Sequence, residues 1–163
     1  QSGDQKALTK LIELYNRDLF HFLLSQSDRA TAEDSLQNTW IKVMKNAGQY
    51  KLGTSVRNWL FTIARHTLID ELRRLNRWHT QVLSEHDLSS VTLSEEIITK
   101  DKLALFNHIV SQLPFYQREA FILQQEGFSL HEIAIMTDEK QETIKSRIRY
   151  AKQNIRSTLE NKL

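Results

Sequence analysis

The side chains in this chain that could do chemistry are arginines and lysines set beside aromatic and hydroxyl groups, a grouping that suits the binding of a polyanion. Between Gln141 and Arg156 the basic residues Lys145, Arg149, Lys152 and Arg156 each follow by one position a member of the apolar series Ile144, Ile148, Ala151 and Ile155. On a helix that series forms one buried row, so the cations border it on the exposed surface. Arg147 lies on the other flank of the same row, and no acid falls between Lys145 and Arg156. Gln141 and Ser146 add adaptable hydrogen-bonding groups. A solvated face would also be charged. A short helix, a short polar turn and a second helix of single-sign surface together point instead to a helix-turn-helix, which presents its second helix to the major groove.

A second grouping spans Ser55 to Arg77. Arg57, Arg65, His66, Arg73, Arg74 and Arg77 share one helical segment, beside a loop holding Tyr50 and Lys51. Aromatic rings and guanidinium planes stack on unpaired bases while cations hold phosphates, so this mixture suits single-stranded nucleic acid. Trp59 reads more readily as core, given its spacing with Leu60 and Ile63, which leaves Tyr50, Lys51 and His66 as the better candidates for base contact.

Catalytic arrangements are missing from the sequence. His131 with Glu132 lacks a second histidine four residues after the first, so the zinc-protease pattern fails. His66 and Asp70 stand in i, i+4 spacing that could share a metal, yet no third ligand is evident. There is no Gly-rich phosphate loop and no nucleophile elbow. The expectation is a protein that is not an enzyme, with no cofactor, no metal and no small-molecule substrate.

The elements that position these groups are helices. Only 4 glycines and 1 proline occur in 163 residues, and apolar positions recur at three and four, so an all-α fold is expected. A first helix runs from Asp4 to about Ser25, with Ala7, Leu8, Leu11, Leu14, Tyr15, Phe22 and Leu23 as its stripe. Thr31 with Asp34 reads as the cap of a second helix, whose Leu36, Trp40, Val43, Met44 and Ala47 face inward until Gly48. A loop covers 49–54. The third helix, Ser55 to about Arg77, places Trp59, Leu60, Ile63, Leu68, Leu72 and Leu75 inward and its arginines, Arg65 included, outward. Periodicity fails between Trp78 and Leu93, where serine, threonine, histidine and acids dominate, and this stretch reads as a flexible linker. Helical spacing returns after a cap at Ser94, through Ile98, Leu105, Phe106, Ile109 and Leu113. Pro114 forces a boundary and can open the next helix, which ends at Gly127. Ser129 and Glu132 stand in capping-box spacing, and Asp138 tolerates the left-handed backbone of a tight turn before the helix from Gln141. Two small helical domains are therefore expected, 1–77 and 94–163, joined by 78–93.

Composition sets weaker bounds. The net charge of +2 is too mild to prove a nucleic-acid partner, so the placement of the charges carries that argument. The absence of cysteine excludes a disulfide scaffold, and no bilayer-length apolar run or secretory signal is visible, which leads to the expectation of a cytoplasmic protein. The chain opens at Gln1 without an initiator methionine, so a short N-terminal stretch is expected to precede it.

The run WLFTIARHTLIDELRR resembles the segment of extracytoplasmic-function sigma factors, within the sigma-70 family, that recognises the minus-ten promoter element. AEDSLQNTWIKVMKN resembles their preceding helix, which docks on the clamp helices of the RNA polymerase largest subunit. LPFYQREAFILQQEGFSLHEIAIMTDEKQETIKSRIRYAKQNI resembles their domain for the minus-thirty-five element, and GDQKALTKLIELYNRDLF their opening helix. Two motifs in the right order, separated by a linker, are more specific than either alone.

The resemblance implies a sigma region 2 bundle over 1–77 and a sigma region 4 helix-turn-helix over 94–163. Asp34, Gln37, Asn38, Trp40 and Lys42 fall in the docking helix, with Trp40 partly structural and Asn38 standing where relatives usually carry an acid. Loop 49–54 matches the one that captures a flipped base, and His66 a position that touches an unpaired base; Arg73, Arg74 and Arg77 would position the backbone. Lys145, Ser146, Arg147, Arg149 and Tyr150 match positions at the minus-thirty-five duplex. Asp138 and Glu142 stand where relatives often have glycine. Glu142 could accept from a cytosine amine or favour the helix N-terminus, and capping is the reading preferred. Implied partners are bacterial core RNA polymerase, through the clamp helices and the flap of the second-largest subunit, promoter DNA and an anti-sigma factor. The rival expectation is a polymerase-independent helix-turn-helix regulator with a sensing or dimerising N-terminal half.

Overall fold

The computed structural model describes residues 2–78 and 102–162, with side chains for 4–76 and 102–162. All regular structure among the described residues is helical, and the chain divides into two compact units, 1–80 and 81–163. The N-terminal unit holds α1 (Ser2–Gln26), α2 (Arg29–Asn46), a single 3₁₀ turn (Ala47–Gln49) and α3 (Val56–Trp78). The C-terminal unit holds α4 (Lys102–Ser111), α5 (Phe115–Gln125), α6 (Leu130–Thr137) and α7 (Gln141–Lys162). Apart from Trp78, which ends α3, the expected linker at 78–93 lies outside the described residues, as do Ser94 and Ile98.

In the N-terminal unit α2 packs on both α1 and α3. Leu19, Phe22 and Leu23 of α1 meet Leu60, Phe61, Ala64 and Leu68 of α3, and the Phe22 and Phe61 rings lie 5.4 Å apart. The face of α2 turned to this core carries the small residues Ala32, Ser35 and Thr39, which let neighbouring helices approach closely. The Thr39 hydroxyl donates to the Ser35 carbonyl at 2.6 Å, so its burial leaves no donor wasted. The cap of α2 is not Thr31. Asp28 holds that place, its carboxylate accepting from the Thr31 N–H at 2.7 Å, while Thr31 is buried inside the helix. Only Ser27 and Asp28 separate α1 from α2, and so short a connection leaves the capping position no other place.

The C-terminal unit is built around α7, whose Ile144, Ile148, Ala151 and Ile155 are all buried. Ala151 and Ile155 pack with Ile109 and Val110 of α4, Phe121 of α5 and Leu113 at the junction between those two helices. Pro114 immediately precedes α5, where its fixed φ costs nothing and its missing N–H is not needed. Buried Arg118 braces this junction, its Nη1 donating to the Ser111 carbonyl at 2.7 Å and its guanidinium lying 5.8 Å from the Phe115 ring centroid. Burial lowers the Arg118 pKa to about 10, against the opposing pull of Glu119, so the group still carries its charge at neutral pH. Past α5, Gly127 adopts φ +95°, which ends the helix and turns the chain toward α6.

Candidate nucleic-acid interface

In the C-terminal unit the local signals in the sequence set the geometry of a helix-turn-helix. The Ser129 hydroxyl accepts from the Glu132 N–H at 3.1 Å and the Glu132 carboxylate accepts from the Ser129 N–H at 3.0 Å, a reciprocal capping box that starts α6. The helix stops after two turns because Asp138 takes the left-handed conformation, φ 53° and ψ 46°. The Glu139 N–H then closes back on the Ala134 carbonyl at 3.0 Å. Two residues later α7 begins.

Along α7, Gln141, Glu142, Lys145, Arg149, Tyr150 and Lys152 are exposed, and Ser146 is half-buried. The Gln141 amide sits 3.0 Å from His131 Nδ1, joining the first turn of α7 to α6. Arg149 lies over its neighbour's ring, 5.2 Å from the Tyr150 centroid, so a flat cation and a flat aromatic stand together on the surface. Arg147 differs from the other cations: its Nη2 donates to Glu139 Oε1 at 3.0 Å, its guanidinium stacks 4.8 Å from the Tyr116 centroid, and its side chain is only 15% exposed.

In the N-terminal unit the loop before α3 is closed by its own hydrogen bonds. The Thr54 N–H and hydroxyl both reach the Lys51 carbonyl, at 3.2 and 2.8 Å, and Gly53 supplies φ +97° at the tip. The Tyr50 hydroxyl donates to the Thr54 carbonyl, while its ring lies 5.2 Å from that of Trp59. Lys51 is exposed, and so is Leu52, at 96% the most open large apolar residue described. Leu52 escaped the sequence reading because a leucine in a loop carries no periodic signal.

On α3 the structure separates what the sequence grouped. Arg65 is a correction: expected outside, it is 8% exposed. It stands one turn after Phe61 and one before Ile69, both buried, so the i, i+4 row carries it inward. Arg57 is half-buried with its guanidinium 5.0 Å from the Phe61 centroid. Arg74 is paired with Glu71 at 2.5 Å, and donation from Arg74 is the main reason the Glu71 carboxyl is held below its ordinary pKa. Arg73 is exposed; the side chain of Arg77 lies outside the described residues. His66 is exposed, but its pKa is lowered, first by partial burial and then by the nearby Arg65 and Lys42 charges, with Asp70 opposing. A neutral imidazole donates or accepts single hydrogen bonds, which suits a base edge better than a phosphate.

The residues implied for polymerase docking divide by face. Asp34, Gln37 and Asn38 are exposed together, and Ile41 and Lys45 continue the same exposed side of α2. Lys42 turns toward α3, its Nζ 3.5 Å from Asp70. Trp40, expected in the inward stripe and as partly structural, is 8% exposed, and its indole N–H donates to Asn16 of α1 at 2.8 Å. It anchors α2 to α1. Leu14 and Met44, expected in the inward stripes, are exposed; Leu14 is open at 59%. Among the described residues no three histidines or acids converge as a metal site would require, and no helix is long and apolar enough to cross a membrane.

Comparison with known proteins adds family relationships to this geometry. Residues 11–78 match the family described as Sigma-70 region 2, and residues 103–155 match Sigma-70, region 4. The ECF RNA polymerase sigma factor SigX of Bacillus subtilis is 29% identical over 133 residues, covering 76% of this chain and 69% of that protein. The ECF RNA polymerase sigma factor SigM of Mycobacterium tuberculosis is 28% identical over 150 residues, or 90% of this chain and 74% of its own. Among solved structures, the sigma factor RpoE of Bartonella quintana, in complex with the anti-sigma factor NepR, superposes with a TM-score of 0.77 at 27% identity, covering 95% of this chain and 98% of that one.

Proposed function

The chain belongs to the sigma-70 family, as a sigma factor of the extracytoplasmic-function kind, and we propose that its two units divide promoter recognition between a duplex reader and a strand holder. It directs bacterial core RNA polymerase to promoters. In this reading α7 enters the major groove of the minus-thirty-five element, and Lys145, Arg149 and Lys152 reach bases or phosphates, with Ser146, Tyr150, Gln141 and Glu142 at the edges of the contact. A good bidentate contact from lysine or arginine to guanine discriminates by roughly 1 to 3 kcal/mol. The minus-ten strand is held by the loop at Tyr50 and Lys51 and by His66, with Arg73, Arg74 and Arg77 on the backbone. A base drawn out of the stack costs a few kcal/mol, which an aromatic wall such as Tyr50 and Trp59 can return.

Core polymerase docks on the exposed side of α2 bearing Asp34, Gln37 and Asn38, through the clamp helices, and on the C-terminal unit through the flap. No catalytic step is assigned to this chain. An anti-sigma factor is the further partner, as in the RpoE complex with NepR. The reading is carried by two family matches in the order region 2 then region 4 on units that each form a closed helical core. The region 2 match leaves a sensing or dimerising N-terminal half without support.

The test is run-off transcription by core polymerase from a pool of random promoters, with and without the protein, followed by sequencing of the start sites. Starts that depend on the protein and share two spaced elements are expected. No dependent starts, together with binding to a palindromic duplex without polymerase, would replace this reading with that of a dimeric regulator.

A further inference from the structure

Arg147 sits in the middle of the helix assigned to the duplex, yet the direction of its side chain sets it apart. At 100° per residue, Lys145, Arg149, Lys152 and Arg156 project within about 60° of one another, whereas Arg147 points about 180° from their mean. A duplex lying against that basic stripe meets the opposite side of the helix from Arg147. Its guanidinium is instead occupied on two sides, by the Glu139 carboxylate at 3.0 Å in the turn and by the Tyr116 ring at 4.8 Å on α5. One side chain therefore ties together the beginning of α5, the turn after left-handed Asp138 and the second turn of α7.

From this geometry we infer that Arg147 is a positioning residue, a latch that fixes the entry of α7 against the turn and α5 so that Lys145 and Arg149 meet the duplex at a set angle. The inference rests on the promoter reading for its consequence, though not for the latch itself. The planar fork of arginine is needed because it must offer N–H groups to a carboxylate while stacking on a ring, which a lysine ammonium cannot do at once. Glu139 is an acid beside a helix that binds a polyanion, and pairing with Arg147 also neutralises it there. The latch adds a function to the turn, which the capping box and Asp138 shape but do not fasten to α5.

Glu139→Gln tests the idea because it releases the latch without altering α7. Promoter binding by the holoenzyme is measured for the wild type, Glu139→Gln, Arg147→Gln and the double variant across a range of salt. A latch predicts that each single variant weakens binding about tenfold, that the double is no worse than either, and that the salt slope is unchanged. Arg147→Lys should behave as Arg147→Gln, and the charge-reversed pair Glu139→Arg with Arg147→Glu should recover part of the loss. A direct phosphate contact predicts the reverse: Glu139→Gln tightens binding by removing an acid, and Arg147→Gln lowers the salt slope by about 0.9. That pattern would overturn the inference. Hydrogen exchange at the Asp138 and Glu139 amides of the full chain, without DNA, reads the latch separately and should rise about tenfold in both single variants. Unchanged exchange there would also overturn it. If exchange rises but the wild-type holoenzyme starts no transcription, the latch stands and the promoter reading falls.

Discussion

The two basic helices of this protein, α3 and α7, carry similar numbers of cations and use them differently. On α7 the cations Lys145, Arg149, Lys152 and Arg156 line one exposed stripe, and Arg147 alone is turned aside to Glu139 and Tyr116. On α3, Arg65 is buried, Arg57 lies on Phe61 and Arg74 is paired with Glu71, while Lys42 of α2 leans in to Asp70. Charge counted along a helix is therefore not charge available to a ligand. A duplex presents phosphates at fixed spacing to a row of projecting cations, whereas an unpaired strand is better met by a braced surface with a few polar and aromatic groups at set positions.

The largest expected effect lies in the core beneath α3. Phe22→Ala should remove about 3–5 kcal/mol from the N-terminal unit, by leaving a cavity against Phe61. All three tryptophans, Trp40, Trp59 and Trp78, fall in the 1–80 unit, so urea unfolding followed by tryptophan fluorescence reports on it. Arg65→Ala should lower the same transition by about 1–3 kcal/mol, because it empties a buried position on the Phe61–Ile69 row. Were Arg65 a surface cation, that transition would not move and the contrast with α7 would fail.

Lys145→Ala and Arg149→Ala sharpen the other side. Each should leave the fluorescence transition within about 0.5 kcal/mol of the wild type. Each should also cost roughly 1–3 kcal/mol of minus-thirty-five discrimination, measured as the ratio of transcription from intact and scrambled elements. A loss of stability in place of discrimination would place these cations in the structural class of Arg65. Ser129→Ala should cost about 1 kcal/mol of stability in the C-terminal unit, read by hydrogen exchange along α6, since it removes the acceptor for the Glu132 N–H.

The smallest effect concerns pH. Burial and the Arg65 and Lys42 charges hold the folded-state pKa of His66 below its ordinary 6.5. The unfolded chain therefore takes up this proton first, so the contribution of His66 is present above pH 6.5 and is lost as pH falls through the lower folded value. Comparing unfolding of the wild type and His66→Gln from about pH 7.5 to about pH 5 should show the wild type losing more stability on acidification. Parallel curves would mean that the α3 surface does not disfavour the charged imidazole.

Much of this was legible along the chain because it depends on near neighbours. The capping box of Ser129 and Glu132, the left-handed Asp138, the boundary at Pro114 and the buried row of α7 each follow from residues within a turn or two of one another. The remaining features mix local signals with contacts from far along the chain. Asp28 displaces Thr31 as the cap because α1 runs to Gln26, a local signal that was misread, whereas Trp40, expected in the inward stripe, is held there by Asn16, 24 positions earlier. Leu14 was placed in the core by periodicity, but it stands 59% exposed.

The helical class, the turn geometry of the C-terminal motif and the exposed basic stripe of α7 were written in the residue order, since capping, left-handed tolerance and 3.6-residue periodicity act over a few residues. Packing between helices set which cations are withdrawn from the surface into contacts. Arg65 is drawn inside by the packing of α3, and Arg147 is engaged by Tyr116 from a separate helix. The fate of a long, flexible charged side chain depends on what packing places within its reach, and that partner can lie anywhere in the chain.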